Sequence, residues 1–163
     1  MTSVVSNNYD DTILQKLAIA LAEVTSEGLP VFEDVSVSGS RDEATDKDFT
    51  DSPIASVSYA TTDTHNIPDQ EVGCVLRCEV LVAVKADTPA LRSRELTRCV
   101  NSARNALESN IPSTANGFGE DGDGEYHPRL RVGTPERVEA EDPWAIAWLP
   151  VEVAYRTTTR TTH

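Results

Sequence analysis

The fold is decided by one stretch, Val72 to Leu107, with the sequence VGCVLRCEVLVAVKADTPALRSRELTRCVNSARNAL. In its first half every second residue is apolar: Val72, Cys74, Leu76, Cys78, Val80, Val82 and Val84. Alternate side chains of a β-strand point to the same face, so the pattern predicts a long strand over 72–85 with one dry face. The positions in between are mixed, which indicates a second face that is partly wet or covered by a partner.

The second half of this stretch predicts an amphipathic helix. Thr88 or Asp87 can cap its first turn, and Pro89 suits the first helical position. Apolar residues then recur mostly three, four or seven apart, as one helical face requires: Leu91, Leu96, Cys99, Val100, Ala103 and Leu107. None of these side chains forms a recognisable catalytic or binding group, so we interpret the strand and the helix as a scaffold.

The composition fits a single acidic domain. The chain has 163 residues and a net charge of −13, which argues against the phosphate backbone of nucleic acids as its main ligand. Its only lysines are Lys16, Lys47 and Lys85, against 27 acidic residues. Such a composition is typical of proteins from extreme halophiles, with an ordinary acidic protein as the alternative.

Neither a membrane role nor secretion is expected. No apolar run approaches the roughly 18–20 residues that span a bilayer. The first residues, Met1 to Asp11, lack the basic start and apolar core of a signal peptide.

The N-terminal half predicts one helix and two short strands joined by polar segments. The helix follows from an apolar stripe, and the first strand is expected at a sheet edge because both its faces carry charges. The predicted parts, in order, are a loose start over 1–9, a cap at Asp10 or Asp11, a helix over Thr12–Ser26 stopped by Gly28, a strand over Val31–Val37, a loop over 39–52, a strand over Ile54–Tyr59 and a polar stretch over Ala60–Glu71.

The C-terminal part predicts a long polar loop over 110–130, a strand or hairpin arm over Leu130–Val138 and a final strand over Trp144–Tyr155. Pro150 lies in the middle of that last strand and cannot donate a ladder hydrogen bond, so the strand is expected at an edge or with a bulge. The residues from 156 to 163 form a cationic C-terminal arm.

Together these elements predict an α+β domain spanning 1–163. Its mostly antiparallel sheet has four to five strands, and two helices pack on one face of it.

The sequence predicts no catalytic, cofactor or metal site. Cys74, Cys78 and Cys99 are expected to be buried free thiols, because Cys74 and Cys78 are too far apart on one strand to pair. His65, His127 and His163 lack the spacing of metal ligands. The acidic glycine loop 117–125 lacks the alternating ligands of an EF-hand and is interpreted as a solvated loop. We therefore expect a protein that is not an enzyme, with an enzyme whose site the sequence hides as an alternative.

Trp144 and Trp148 lie four residues apart on one face of the last strand. They predict either a second packing layer under a helix or a contact surface, because aromatic anchors dominate protein interfaces.

In its order of elements the chain resembles the tail terminator, or tail completion, proteins of long-tailed phages and archaeal tailed viruses. An N-terminal helix (Thr12 to Ser26) runs into a Pro30-Val31-Phe32 strand. A long strand (Cys74 to Lys85) passes through Ala86-Asp87-Thr88-Pro89 into a long helix. The chain closes with Trp148-Leu149-Pro150-Val151-Glu152-Val153-Ala154-Tyr155-Arg156, which is similar to the family's final strand.

This resemblance implies a structural virion protein that forms a ring, usually a hexamer. The ring would cap the head-proximal end of the tail tube, stop its polymerisation and join the tail to the head–neck connector, after assembly in the host cytoplasm. DNA would pass through the lumen only as cargo, and an acidic lining would repel its backbone. The halophile-like composition would then indicate a haloarchaeal virus.

Five residues are candidates for subunit or partner contacts: Phe49, Trp144, Trp148, Arg156 and Arg160. The two arginines belong to the cationic arm, and the three aromatic residues gain weight in high salt, where charge attraction is screened. A heterologous ring needs two different complementary patches, which the cationic arm and the acidic loop 39–52 can supply. The alternatives to a terminator are another neck protein, for head completion or head–tail joining, and a non-viral cytoplasmic binding module.

Overall fold

The computed structural model describes residues 2–45, 51–67, 71–110 and 129–158. Three helices and eight strands occur in these ranges, in the order α1 (Thr2–Ala22), β1 (Thr25–Ser26), β2 (Leu29–Pro30), β3 (Asp34–Ser38), α2 (Arg41–Thr45), β4 (Ile54–Ile67), β5 (Glu71–Lys85), α3 (Pro89–Asn110), β6 (Arg129–Val132), β7 (Glu136–Val138) and β8 (Trp144–Thr158).

One mixed sheet contains all the strands except β1 and β2. Its order is β3-β4-β5-β8-β6, and β7 also pairs with β8. Every pair in it is antiparallel except β3 with β4, which is parallel. The predicted α+β class with two long helices and a mostly antiparallel sheet is thus confirmed. The sheet has one strand more than predicted because the arm over Leu130–Val138 forms two short strands, β6 and β7.

The predicted strand–turn–helix unit is confirmed and lies at the centre. β5 pairs with β8 along its whole length and with β4 along almost all of its length. The Thr88 hydroxyl accepts a hydrogen bond from the Leu91 amide at 3.2 Å, so Thr88 caps α3 and Pro89 begins it. The predicted stripe of α3 is buried except at Leu91, which is 43% exposed because it lies in the first turn, away from the sheet.

The first helix differs from the prediction at both ends. α1 begins at Thr2, so residues 2–9 are helical and Asp10 lies inside the helix instead of capping it. It ends at Ala22, before a hairpin of β1 and β2. The hairpin turn has positive φ angles at Glu27 (54°) and Gly28 (83°), so Gly28 serves a tight turn and does not stop the helix. β3 then begins at Asp34, three residues later than predicted.

Two segments predicted as polar connections contain regular structure. Residues 41–45 of the loop 39–52 form α2, while 46–50 lie outside the described ranges. The stretch over Ala60–Glu71 extends the hairpin, since β4 continues to Ile67 and β5 begins at Glu71. Threonines favour strands through their branched β-carbon, and Arg77 of β5 pairs with Asp63 of β4 across the ladder.

The final strand was predicted at an edge or with a bulge, and the edge position is wrong. β8 lies between β5 on one side and β6 and β7 on the other. The Pro150 carbonyl accepts a hydrogen bond from the Gly133 amide at 2.8 Å. A strand residue directs its N–H and C=O to the same side, so the missing donor of Pro150 faces the break between β6 and β7, where no ladder bond is needed. A Cβ on Gly133 would lie 2.9 Å from the Pro150 ring, so glycine allows this close approach.

The main core lies on one face of the sheet, which we call the core face. It joins the buried residues of α1 and α3 to alternate residues of β4, β5 and β8, in one cluster that includes Leu17, Val57, Leu76, Val80, Cys99, Leu107, Leu149 and Val153. Both long helices therefore share one face. Of the described helices, α2 alone lies on the opposite face, which we call the second face.

Candidate functional site

The second face carries a small apolar cluster around Trp148, which we call the tryptophan patch. Its buried members come from α2, β4, β5 and β8, and its half-buried members lie on β7 and β8: Ala44, Ile54, Leu81, Ala83 and Trp148, with Val138, Trp144 and Ile146. Their order follows from the register, in which Leu81 lies opposite Trp148 and Lys85 lies opposite Trp144. The patch is therefore continuous across the middle of the sheet.

Arg41 of α2 covers the buried end of the patch. Its guanidinium lies over the Trp148 ring, 4.5 Å from the centroid. It also pairs with Glu136 of β7 at 3.2 Å and with Glu79 of β5 at 3.6 Å. A cation over an aromatic face is favourable by about 0.5–1 kcal/mol at an exposed site. This one side chain thus connects α2 to three strands.

The short helix α2 is fixed by its own first turn. The Ser40 hydroxyl accepts a hydrogen bond from the Glu43 amide at 3.2 Å, as an N-cap does. The Glu43 carboxylate in turn accepts one from the Gly39 amide at 2.6 Å. Such reciprocal capping places Ala44, which is fully buried, against the sheet. α2 is therefore the only helix of the described ranges on the second face.

The five predicted contact residues have different places in this arrangement. Trp148 is 2% exposed and packs inside the chain, beneath α2. Trp144 is half-buried at the open end of the patch. Arg156 lies in β8 opposite Gly73, away from the patch. Phe49 and Arg160 fall outside the described residues. The structure thus brings the two tryptophans together, with Trp144 as the more accessible one.

A buried polar cluster that the sequence did not predict lies on the core face. The Asp10 carboxylate is 4% exposed and accepts hydrogen bonds from the hydroxyls of Tyr155 and Thr62, both at 2.7 Å. Tyr59 donates to Thr62 at 2.9 Å. Burial and the hydrogen bond to Asp10 raise the pKa of Tyr155. The sequence contains one signal of this burial. Asp10 precedes Ile13 and Leu14 by three and four residues and so lies on the apolar stripe of the helix.

The three cysteines are buried and free, as predicted. Burial raises the pKa of the Cys78 thiol to about 12 and that of the Cys99 thiol to about 11. Burial also raises the pKa of Cys74. A thiol that stays protonated at neutral pH is a poor nucleophile, so these side chains act as core residues.

Two further findings concern the described part of the chain. It contains no group of three or more histidine, cysteine or acidic side chains that could hold a metal ion. Among the helices that the structure describes, none is long and apolar enough to cross a membrane. The loop 117–125, His127 and His163 lie outside these ranges.

A scan against protein-family models and a search of curated proteins both found no match to this sequence. The tryptophan patch and the order of elements therefore carry the functional argument.

Proposed function

We propose that the chain is a tail terminator subunit whose copies form a ring, most simply a hexamer, on the head-proximal end of a viral tail tube. One observation carries the proposal. The sheet buries its core face under both long helices, whereas its second face presents a half-buried apolar patch beside a single five-residue helix. A domain built in this way has a self-sufficient core and a face free for assembly.

The patch has the chemistry of a protein contact. Interface centres are enriched in aromatic residues, and arginine is enriched there as well. Trp144 and Ile146 are half-buried in the single chain, so a partner can complete their burial at little conformational cost. The tail tube protein or the head–neck connector is the partner that this function implies.

The remaining properties of the chain agree with this role. A net charge of −13 suits a ring whose lumen passes DNA without binding it. The acid-rich, lysine-poor composition suits a virion assembled in a haloarchaeal cell, where salt screens the repulsion between subunits.

The cationic arm and the acidic loop 39–52 remain a candidate clasp between subunits. Residues up to Thr158 belong to β8 and pair with the start of β5, so deleting the whole arm would also shorten the sheet. Arg160→Glu is the cleaner test, because it reverses one charge beyond that strand. Rings of unchanged stability in this variant would show that the cationic arm is not a contact between subunits.

Two alternatives differ in their partners. A head-completion or head–tail joining protein would bind the portal or adaptor complex and not the tube. A non-viral binding module would stay monomeric and be absent from virions. Co-purification from infected cells separates the three, since each predicts a different bound protein.

The test is imaging of the purified protein in high salt, with and without tail tube protein. We expect six-fold rings of tube diameter and capture of tubes at one end. Trp144→Ala should reduce tube capture, whereas the matched control Leu91→Ala, another partly exposed apolar residue, should not. Monomers in every condition, including with the tube protein, would contradict the proposal.

A further inference from the structure

The charges of this protein are distributed unevenly between the two ends of its sheet. Residues 2–45, which form α1, β3 and α2, contain eight acidic and two basic side chains. Residues 89–110 and 129–138, which form α3, β6 and β7, contain seven arginines and three glutamates. We call the first group the acidic flank and the second the cationic flank.

The fold places β3 of the acidic flank and β6 of the cationic flank at opposite edges of the sheet, while the two flanks meet where α1 contacts α3 and where Arg41 of α2 pairs with Glu136 of β7. β3 is the first strand of the sheet and β6 is the last. α1 packs on the β3–β4 side, while α3 packs on β5, β8 and β6. The charge difference along the sequence therefore becomes a charge difference across the sheet, from one edge strand to the other.

Most arginines of the cationic flank are used inside the chain. Arg92 pairs with Asp142 at 3.0 Å, Arg98 with Glu95 at 2.7 Å, and Arg104 donates to the Gly133 carbonyl at 2.8 Å.

Arg137 reaches from β7 to the hydroxyls of Ser93 and Thr97 on α3. Arg94 and Arg131 are exposed, and no hydrogen bond or ion pair joins their side chains to another described residue. Among the arginines whose side chains are described, these two are the cations that the flank offers to a partner.

The acidic flank offers matching groups. Glu33 and Asp34 are exposed at the start of the edge strand β3, and Glu23 and Glu27 are exposed beside it. The side chains of these four residues make no ion pair within the described ranges. The start of β3 thus offers acidic side chains to a partner, whereas α3 and β6 offer two arginines, with Glu108 of α3 as an exposed acidic exception.

We infer that the acidic flank of one copy docks on the cationic flank of the next, and that this contact sets the head-to-tail orientation of the subunits in the ring. The inference rests on the proposed ring function and names its subunit contact. An isologous dimer built on either flank would bring like charges together, whereas a head-to-tail contact brings opposite charges together. Opposite charges at opposite edges therefore favour the heterologous contact that a ring needs. The tryptophan patch remains free for the tube or the neck.

Charge reversal on each flank tests this contact. In one variant Glu33→Arg and Asp34→Arg reverse the two acidic charges at the start of β3, and in the other Arg94→Glu and Arg131→Glu reverse the two arginines that have no described partner. Each variant alone should associate at least about tenfold more weakly than the natural protein, because the substituted pair of one copy then faces a pair of the same sign on the next copy. The matched control, Asp87→Arg with Glu141→Arg, changes exposed charges in the connections before α3 and before β8 and should associate normally.

An equimolar mixture of the two variants gives the decisive result. In an alternating ring each substituted pair again faces a pair of opposite sign, so assembly should return, with even numbers of subunits and equal amounts of each variant by native mass spectrometry. The difference between the variants should shrink with salt, since the Debye length falls to about 3 Å at 1 M.

Two results would overturn the inference, provided that circular dichroism shows folded variants. One is that each variant alone assembles like the natural protein, and the other is that the mixture does not recover. If the natural protein forms rings in those experiments, the proposed function stands without this contact. If it forms none, even with tube protein, both fail.

Discussion

The two faces of the sheet differ in how much apolar surface they bury. On the core face, α1 and α3 bury a cluster that runs across β4, β5 and β8 and includes fully buried side chains such as Leu76 and Leu149. On the second face, four buried strand residues lie under one short helix, which contributes Ala44 and whose Arg41 covers Trp148. Within the described ranges the difference teaches that the fold is stabilised mainly from one side, which is why we propose the other side for assembly.

The largest expected effect comes from removing a leucine from the core face. Leu76→Ala should lower the free energy of unfolding by about 3–5 kcal/mol, because the dense cluster cannot collapse into the cavity. Leu81→Ala, on the second face of the same strand, should cost about 2–3 kcal/mol, because fewer neighbours lose contacts there. Both leucines are fully buried, so chemical denaturation compares the faces directly. Equal losses would show that the faces do not differ in this way.

The buried carboxylate of the core face provides the next effect. Tyr155→Phe removes one of the two hydroxyls that donate to Asp10, and a buried charge that loses a donor costs about 1–3 kcal/mol. Tyr59→Phe is the control, since its half-buried hydroxyl donates only to Thr62 and should matter less. Thermal unfolding would show the order, and a larger loss in the control would contradict this account of the cluster.

Alkaline pH should weaken the core face through Cys78. Burial raises the pKa of its thiol from 9.0 to about 12, so between these values the folded chain keeps a proton that the unfolded chain releases. Stability contributed by this group is complete below pH 9 and is lost as the pH rises towards 12, by about 1 kcal/mol at pH 10. Denaturation at pH 8 and pH 10 should give a smaller difference for Cys78→Ala than for the natural protein. An identical difference would show that this thiol does not contribute.

The smallest effect is expected on the second face. Arg41→Ala removes the cation over Trp148 and two half-exposed ion pairs, together about 1 kcal/mol or less. It should increase the quenching of tryptophan fluorescence by acrylamide, because Trp148 loses part of its cover. Arg77→Ala, which also removes two ion pairs but lies away from Trp148, should leave the quenching unchanged. A large loss of stability in Arg41→Ala would mean that α2 is an integral part of the core.

The sequence predicted well where one periodicity dominates. The alternation in β5, the cap and stripe of α3 and the alternation in β8 each follow from local spacing, and all were confirmed. The predicted edge position of β8 was wrong because Gly133, which is distant in sequence, lies opposite Pro150 and lets this proline sit inside the sheet. The early start of α1 was not predicted because Asp10 resembles a helix cap. The carboxylate of Asp10 instead accepts hydrogen bonds from Tyr155 of β8 and Thr62 of β4, which are distant in sequence.

The same limit applies to the candidate site. Trp144 and Trp148 share a face by their spacing, and the sequence predicted that. Trp148 is the covered tryptophan because Arg41 of α2 lies over its ring. The sequence predicts a loop where α2 forms, so this cover could not be predicted. The charge difference between the two flanks is present in the sequence, but it acquires meaning only when the strand order places β3 and β6 at opposite edges.

The central claim is that this chain assembles into a closed ring through surfaces outside its core face. Sedimentation velocity over a range of protein and salt concentrations, alone and with tail tube protein, tests it most directly. We expect a discrete species of about six times the mass of the 17.7 kDa chain, with no larger polymer, because a closed ring leaves no free contact. A chain that stays monomeric under all these conditions, or that grows without limit, would contradict the account.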